Sequence, residues 1–274
     1  MTEQIFFQSS FPRAGSTLLQ NIFFQNPDFF SSATSGVLEL LFAARKNYSE
    51  SPEFKAQDET AMENAWRSFC YHGLTGYYKG LTDKKYVLDK SRGWGYYYGF
   101  LNFFYPEPKI ICMIRDPRDV ISSMEKKFRA TPEKDIGIVN NSSLIGTTTE
   151  KRVDIWCNGQ PAGMAFERLY QIIKEGNDKK ILFIKYENLC HNPNKEMQRA
   201  YEYLGIDFYQ HDFDNIEQKT VEDDKNVYGI FGDHSIRPQL KALKSDSREI
   251  LGKPVCDWIF SRYEWFYDKF GYNH

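Results

Sequence analysis

The stretch Ile5-Phe6-Phe7-Gln8-Ser9-Ser10-Phe11-Pro12-Arg13-Ala14-Gly15-Ser16-Thr17-Leu18-Leu19 changes its periodicity partway along. Ile5 to Gln8 reads as a short apolar strand, residues 9–15 as a turn, and a helical pattern then runs to about Gln25. A loop in that position turns backbone N–H groups and the positive end of a helix toward any anion. Gly15 lets the backbone approach closely, Ser16 and Thr17 add hydroxyl donors, and Arg13 adds a planar, permanently charged fork. The triphosphate-binding loop G-x-x-x-x-G-K-S/T is a different object: its first Gly and its Lys are missing here, which disfavours metal-assisted triphosphate chemistry. A plain strand–turn–helix junction capped by Ser and Thr accounts for the same residues.

Working outward, the pattern repeats. Residues 86–88 read as a second strand ending in Asp89-Lys90-Ser91, residues 109–114 as the clearest buried strand, and residues 180–185 as a fourth. Helical patterns lie between and behind them, over residues 36–46, 58–78, 94–105, 120–128, 150–175, 194–204 and 247–270. Residues 129–149 are polar and read as a surface excursion. Short apolar strands alternating with helices predict an α/β fold: a three-layer, P-loop-type parallel sheet with helices on both faces, in a single domain over residues 1–274. Such sheets bind ligands beyond the carboxyl ends of their strands. The polar clusters 9–17, 89–91, 115–119 and 186–188 all fall at those ends.

Composition narrows the function. At 274 residues the chain buries a core without staples. The net charge of −2 argues against a generic nucleic-acid binder. Phe (22), Tyr (18) and Trp (5) together make up 16% of the chain, and its ordinary Gly and Pro content excludes disorder and collagen-like repetition. The five cysteines show no C-x-x-C spacing, so neither a zinc site nor a redox dithiol is expected. With no signal-peptide pattern and no membrane-length apolar run, the expectation is a soluble, reduced, cytoplasmic protein that contacts no membrane.

A second anion cluster follows the 109–114 strand: Arg115-Asp116-Pro117-Arg118-Asp119-Val120-Ile121-Ser122-Ser123. Residues 109–129 hold six basic side chains against three acidic ones. Arg115 falls at the strand's end and Ser123 two turns into the next helix. Surface pairing of Arg115 and Arg118 with Asp116 and Asp119 is the competing account, and exposed pairs of that kind are worth at most about 1 kcal/mol.

Together the two clusters resemble the sulfotransferases that use 3′-phosphoadenosine 5′-phosphosulfate (PAPS), and within them the tyrosylprotein sulfotransferase-like branch. That family has a Pro-basic-Ser/Ala-Gly-Ser/Thr-Thr loop near its N-terminus, matched by Pro12 to Thr17. It also has an R-D-x-R-x-x-x-x-S segment about a hundred residues later, matched from Arg115 to Ser123. The resemblance extends through Leu88-Asp89-Lys90-Ser91, Lys185-Tyr186-Glu187-Asn188-Leu189 and a C-terminal Lys-Phe-Gly-Tyr. It implies that Arg13, Ala14, Gly15, Ser16 and Thr17 hold the 5′-phosphosulfate, and that Arg115, Ser123 and Lys127 hold the 3′-phosphate. It implies that Lys90 reaches the sulfuryl group and leaving oxygen, and that Arg237, in a late loop from His234 to Pro238, adds a phosphate contact. A salt bridge to Asp89 or a solvated loop position is the alternative for Lys90.

By that resemblance the donor is PAPS, the product nucleotide 3′-phosphoadenosine 5′-phosphate (PAP), and no metal is expected. The acceptor, a hydroxyl or amine, is open, as is the oligomeric state. Transfer also needs a general base. The similar branch places a Glu about twenty residues after its loop Arg, where this chain reads Ser31-Ser32-Ala33-Thr34-Ser35. Glu39 and His234 are the candidates. Tyr186 and Glu187 read as structural, and Trp66, Trp94, Trp156 and Tyr96 to Tyr98 as core aromatics. The rival functions are a nucleotide or small-molecule kinase on the same scaffold and a non-catalytic nucleotide binder.

Overall fold

Strand β1 (Gln4–Ser10) is buried along its last six residues. The other strands are β2 (Phe29–Ser31), β3 (Tyr86–Lys90), β4 (Ile110–Ile114) and β5 (Ile181–Lys185). They form a five-stranded sheet in the order β2-β3-β1-β4-β5, with every pairing parallel. All five residues of β4 are buried, so the sheet is covered on both faces there. The computed structural model describes residues 2–130, 144–222, 232–241 and 244–272.

Thirteen α-helices are described. Those before β4 are α1 (Ser16–Phe23), α2 (Val37–Glu50), α3 (Pro52–Lys55), α4 (Glu59–Leu81) and α5 (Tyr98–Phe104). Between β4 and β5 come α6 (Pro117–Ala130), α7 (Thr149–Asn158) and α8 (Ala162–Lys174). After β5 come α9 (Tyr186–His191), α10 (Pro193–Leu204), α11 (Ser247–Leu251), α12 (Lys253–Arg262) and α13 (Glu264–Phe270). One hydrophobic cluster runs through the sheet and its helices, from Ile5 to Tyr267.

Most of the aromatic excess goes into that core, as expected for Trp94 and Trp156, which are fully buried. Phe7 meets Trp94 edge-on at 4.9 Å, and Phe11 meets Phe166 at 4.7 Å. The five cysteines are all buried and unpaired, and burial pushes the Cys70 and Cys112 thiols up to about 12. Among the described residues, no helix is long and apolar enough to cross a membrane.

The fold class matches the expectation, while several boundaries do not. Strand β2 was not anticipated, because three residues at a sheet edge carry no readable period. The 150–175 helix is two helices, divided around Gly159 and Pro161. A Cβ at Gly163 would lie 2.5 Å from the Cys157 carbonyl oxygen, so the turn between them is tight. The closing 247–270 helix is three, broken at Gly252 (φ +82°) and Tyr263. Only Tyr98–Phe104 of the 94–105 segment is helical. Most of the polar excursion, residues 131–143, lies outside the described residues.

The topology locates a crevice. β3 flanks β1 on one side and β4 on the other, so the strand order reverses at β1. Register pairs Gln8 with Lys90, Ser10 with Met113 and Ile114 with Lys185. The segments following β1, β3, β4 and β5 therefore emerge along the same edge.

Candidate functional site

After β1 the Phe11 N–H donates to the Met113 carbonyl at 3.0 Å, and the Phe11 ring packs in the core. This pins the loop before it turns. Arg13 (φ 58°) and Gly15 (φ 83°) both take left-handed backbone, rare for a side chain as large as arginine. A Cβ at position 15 would stand 2.6 Å from the Tyr186 ring, so only glycine fits. Helix α1 then starts without a side-chain cap, leaving its first N–H groups facing outward.

The Arg13 Nε donates to the Ser123 hydroxyl at 3.2 Å, and its Nη1 to the Asp233 carbonyl oxygen at 2.9 Å. Burial pushes its guanidinium down; Asp233 opposes that shift and Arg115 adds to it. Ala14 is fully buried and is not among the cavity-lining residues.

Past β4 the two arginines separate. Arg118 closes on Asp116, its Nη2 at 2.7 Å and its Nε at 3.1 and 3.2 Å from the carboxylate oxygens. Asp116 also accepts from the Tyr267 hydroxyl at 3.1 Å. Arg115 turns away: its Nη1 donates to the Arg13 carbonyl at 3.1 Å and its nearest carboxylate, Asp119, is 3.7 Å off. Its guanidinium lies 4.7 Å over the Tyr186 ring, and its Nε is buried with no hydrogen-bond partner among the described residues. Both arginines thus pair with an aspartate, Arg118 closely with Asp116 and Arg115 more loosely with Asp119, and neither pair is on the open surface.

Lys127, one turn beyond Ser123, bonds to the Asp233 carboxylate. Burial alone would raise that carboxyl, but hydrogen bonds from Lys127 and Ser235 hold it well below the usual range.

These groups surround a cavity of about 510 Å³ lined by Arg13, Gly15, Ser16, Thr17, Arg115, Ser123, Lys127 and Arg237. Lys126, Lys241 and the Tyr186 ring line it too. Tyr186 was read as sheet packing; it is a wall of this cavity, and its ring stacks under Arg115. Glu187 bonds across the fold, accepting from the Asp116 N–H at 3.1 Å and the Tyr272 hydroxyl at 2.9 Å.

A second cavity of about 500 Å³ opens beside the first. Lys90 lines it from the end of β3. Successive strand residues face opposite sides, and Asp89 turns into the core. There it accepts from Ser35 at 2.7 Å, from Tyr78 and from the Trp94 indole, with burial pushing its carboxyl up. The backbone around Lys90 is equally tied: Ser35 N–H donates to its carbonyl at 3.2 Å, and Ser91 N–H to Gln8 at 3.1 Å.

Glu39, exposed in the first turn of α2, also lines this cavity. Tyr97, read as core, lines it with Phe42, their rings 4.4 Å apart. Arg13, Arg92 and His234 border both cavities. Arg92 went unnoticed in the sequence although it stands two residues past Lys90. Its carbonyl accepts from the Ser9 hydroxyl at 3.1 Å, holding this turn to the end of β1. Asp233 and Arg168 were missed as well, having no motif around them.

A parallel sheet with a glycine-bearing loop after β1 and a basic helix after β4 defines an α/β protein of the P-loop type. The chain belongs to the sulfotransferase family, whose model matches residues 6–210. Cytosolic sulfotransferase 13 of Arabidopsis thaliana is 26% identical over 110 residues, a match spanning 39% of this chain and 32% of that protein. The sulfotransferase domain from the curacin biosynthetic pathway superposes with a TM-score of 0.53 at 16% identity, covering 96% of this chain and 98% of that one. Mouse sulfotransferase SULT7A1 complexed with PAP gives 0.52 at 17% identity, covering 98% and 86%. These likenesses support the family and the fold without singling out the tyrosylprotein branch.

Proposed function

We propose that the protein moves a sulfuryl group from PAPS to a hydroxyl or amine acceptor. The observation that carries this reading is the pair of cavities meeting at Arg13, Arg92 and His234: one ringed by basic side chains and suited to a doubly phosphorylated nucleotide, and one of mixed lining, with an apolar wall from α8, suited to an acceptor. The nucleotide fits the first by an independent sign, the buried and unpartnered Nε of Arg115, which needs an acceptor atom.

Arg13 and the first N–H groups of α1 hold the 5′ end of the donor; Arg115, Ser123, Lys127 and Arg237 hold the 3′-phosphate. When bound, the donor supplies a sulfuryl group on a phosphate leaving group: the acceptor atom bonds to sulfur, the bridging S–O bond breaks, and PAP keeps that electron pair. Arg13 and Lys90 stabilise the charge that builds on the bridging oxygen, which is the main help a protein can give such a transfer. The acceptor's proton goes to a base. His234 borders both cavities and Glu39 only the second, so His234 is the better placed. A cytoplasmic setting agrees with the five unpaired cysteines.

The test is calorimetric titration with PAP, followed by turnover of labelled PAPS against phenols, alcohols and amines. Binding with transfer supports the proposal, and binding without transfer to any acceptor leaves a nucleotide-binding protein. A magnesium-dependent phosphoryl transfer would restore the kinase reading.

A further inference from the structure

The second cavity is chemically lopsided in a way that sulfuryl transfer alone does not explain. Helix α8 gives it Met164, Ala165, Arg168, Leu169 and Ile172, the i, i+4, i+8 face of one helix. Leu38 and Phe42 of α2 and Tyr97 line it as well. These side chains surround an apolar body. Of its cations, Arg13 and Arg92 border the nucleotide cavity too, and Lys90 stands at the end of β3. Arg168 belongs to neither group: it borders only the second cavity, from a helix that carries none of the donor-binding residues.

Arg168 is half-buried. Its guanidinium carbon lies 5.8 Å from the centroid of the Tyr96 ring. Among the described residues it forms no ion pair. A half-buried guanidinium on a cavity wall is available to an anion, and its planar fork matches a carboxylate with two parallel hydrogen bonds.

We propose that Arg168 binds an anionic group of the acceptor, so that the acceptor class is a small amphipathic hydroxy acid, with its hydroxyl at the junction of the cavities and its carboxylate on Arg168. The inference rests on the transfer reading above and deepens it. A volume of about 500 Å³ encloses a whole molecule of that size.

The experiment uses the full chain. PAP is titrated first, and its binding is the separate test of the donor reading. The PAP-loaded protein is then titrated with 3-(4-hydroxyphenyl)propionate and its methyl ester, and with 10-hydroxydecanoate and its methyl ester. These pairs present a ring and a chain, each with and without the charge. In at least one pair the acid should bind about tenfold more tightly than the ester, the usual worth of a charge-assisted contact. Arg168→Gln should bring that ratio to within about twofold of one, and Arg168→Lys should keep part of it. Esters binding as well as their acids in wild-type protein, neither acid binding, or a ratio that survives Arg168→Gln would each overturn the proposal. The wild-type comparison does not depend on any variant folding.

Discussion

Arg13 and Ser123, 110 residues apart in the chain, are joined by a 3.2 Å hydrogen bond from Nε to the hydroxyl. That bond couples the loop after β1 to the helix after β4, so the two segments form one surface. Arg115 reinforces it by donating to the Arg13 carbonyl at 3.1 Å. A ligand that pulls on one segment therefore acts on the other.

Arg115→Ala should weaken PAP binding by about ten- to a hundredfold, the range expected when a phosphate loses a hydrogen bond from a charged partner. Isothermal titration calorimetry reads this directly. Arg118→Ala, which removes a side chain committed to Asp116, should leave PAP affinity within a few-fold; equal losses in both variants would contradict the division between the two arginines.

Lys90→Met should lower kcat by roughly a hundredfold or more while changing PAP affinity little, because its stabilisation grows with charge on the leaving oxygen. Steady-state kinetics with labelled donor, set beside PAP calorimetry, separates the two effects. A loss confined to affinity would make Lys90 a binding residue only.

Asp233→Asn should tighten PAP binding several-fold, since the Asp233 carboxylate holds Lys127 against the phosphate that needs it. The Asp233 carboxyl is depressed in the folded chain. Its stabilising contribution is therefore complete above the unfolded value of about 3.9 and is lost as the pH falls through the lower folded value. Above about pH 7 the carboxylate and the phosphates of PAP all keep their charge, so the gain in affinity should be constant from about pH 7 to 8 and shrink as the phosphates take up protons below about pH 6. Weaker binding in the variant would instead mean that Asp233 orients Lys127 for the nucleotide.

Gly15→Ala should destabilise the protein by about 1–2 kcal/mol from the left-handed backbone alone, with a further loss from the Tyr186 ring, 2.6 Å from the added carbon. Thermal melts of Gly15→Ala and of Gly15→Ala with Tyr186→Ala test this. The second change should recover the steric part and leave the backbone part.

His234→Asn should reduce transfer by about 10²–10⁴-fold, the usual contribution of a general base, and Glu39→Gln should reduce it far less. Both variants are assayed at saturating donor with PAP affinity checked in parallel. The reverse ranking would assign the proton to Glu39.

Much of this site was readable from residue order because each phosphate segment is local: a strand end, a turn and the first turns of a helix. Arg13, Gly15, Ser16 and Thr17 fall in one such segment, and Arg115, Ser123 and Lys127 in another, so their arrangement follows from helix period and turn chemistry alone. Lys90 stands at the end of an apolar run, and its role was legible only through the family resemblance. Local signals gave out where a contact joins distant segments. Tyr186 reads as an ordinary strand-end aromatic until β5 packs beside β4 and brings its ring to Gly15 and Arg115. Arg92 and Arg168 have no motif of their own.

By itself, then, the order of residues determined the parallel α/β class and the two anion-binding segments, since backbone periodicity and short-range turn geometry need no partner. Only the folded chain decided which arginine faces the basic cavity, which tyrosine walls it, and where the two cavities meet. Those outcomes depend on side chains brought together across as many as 220 residues, as between Arg13 and Asp233, and packing of that kind leaves no period in the sequence.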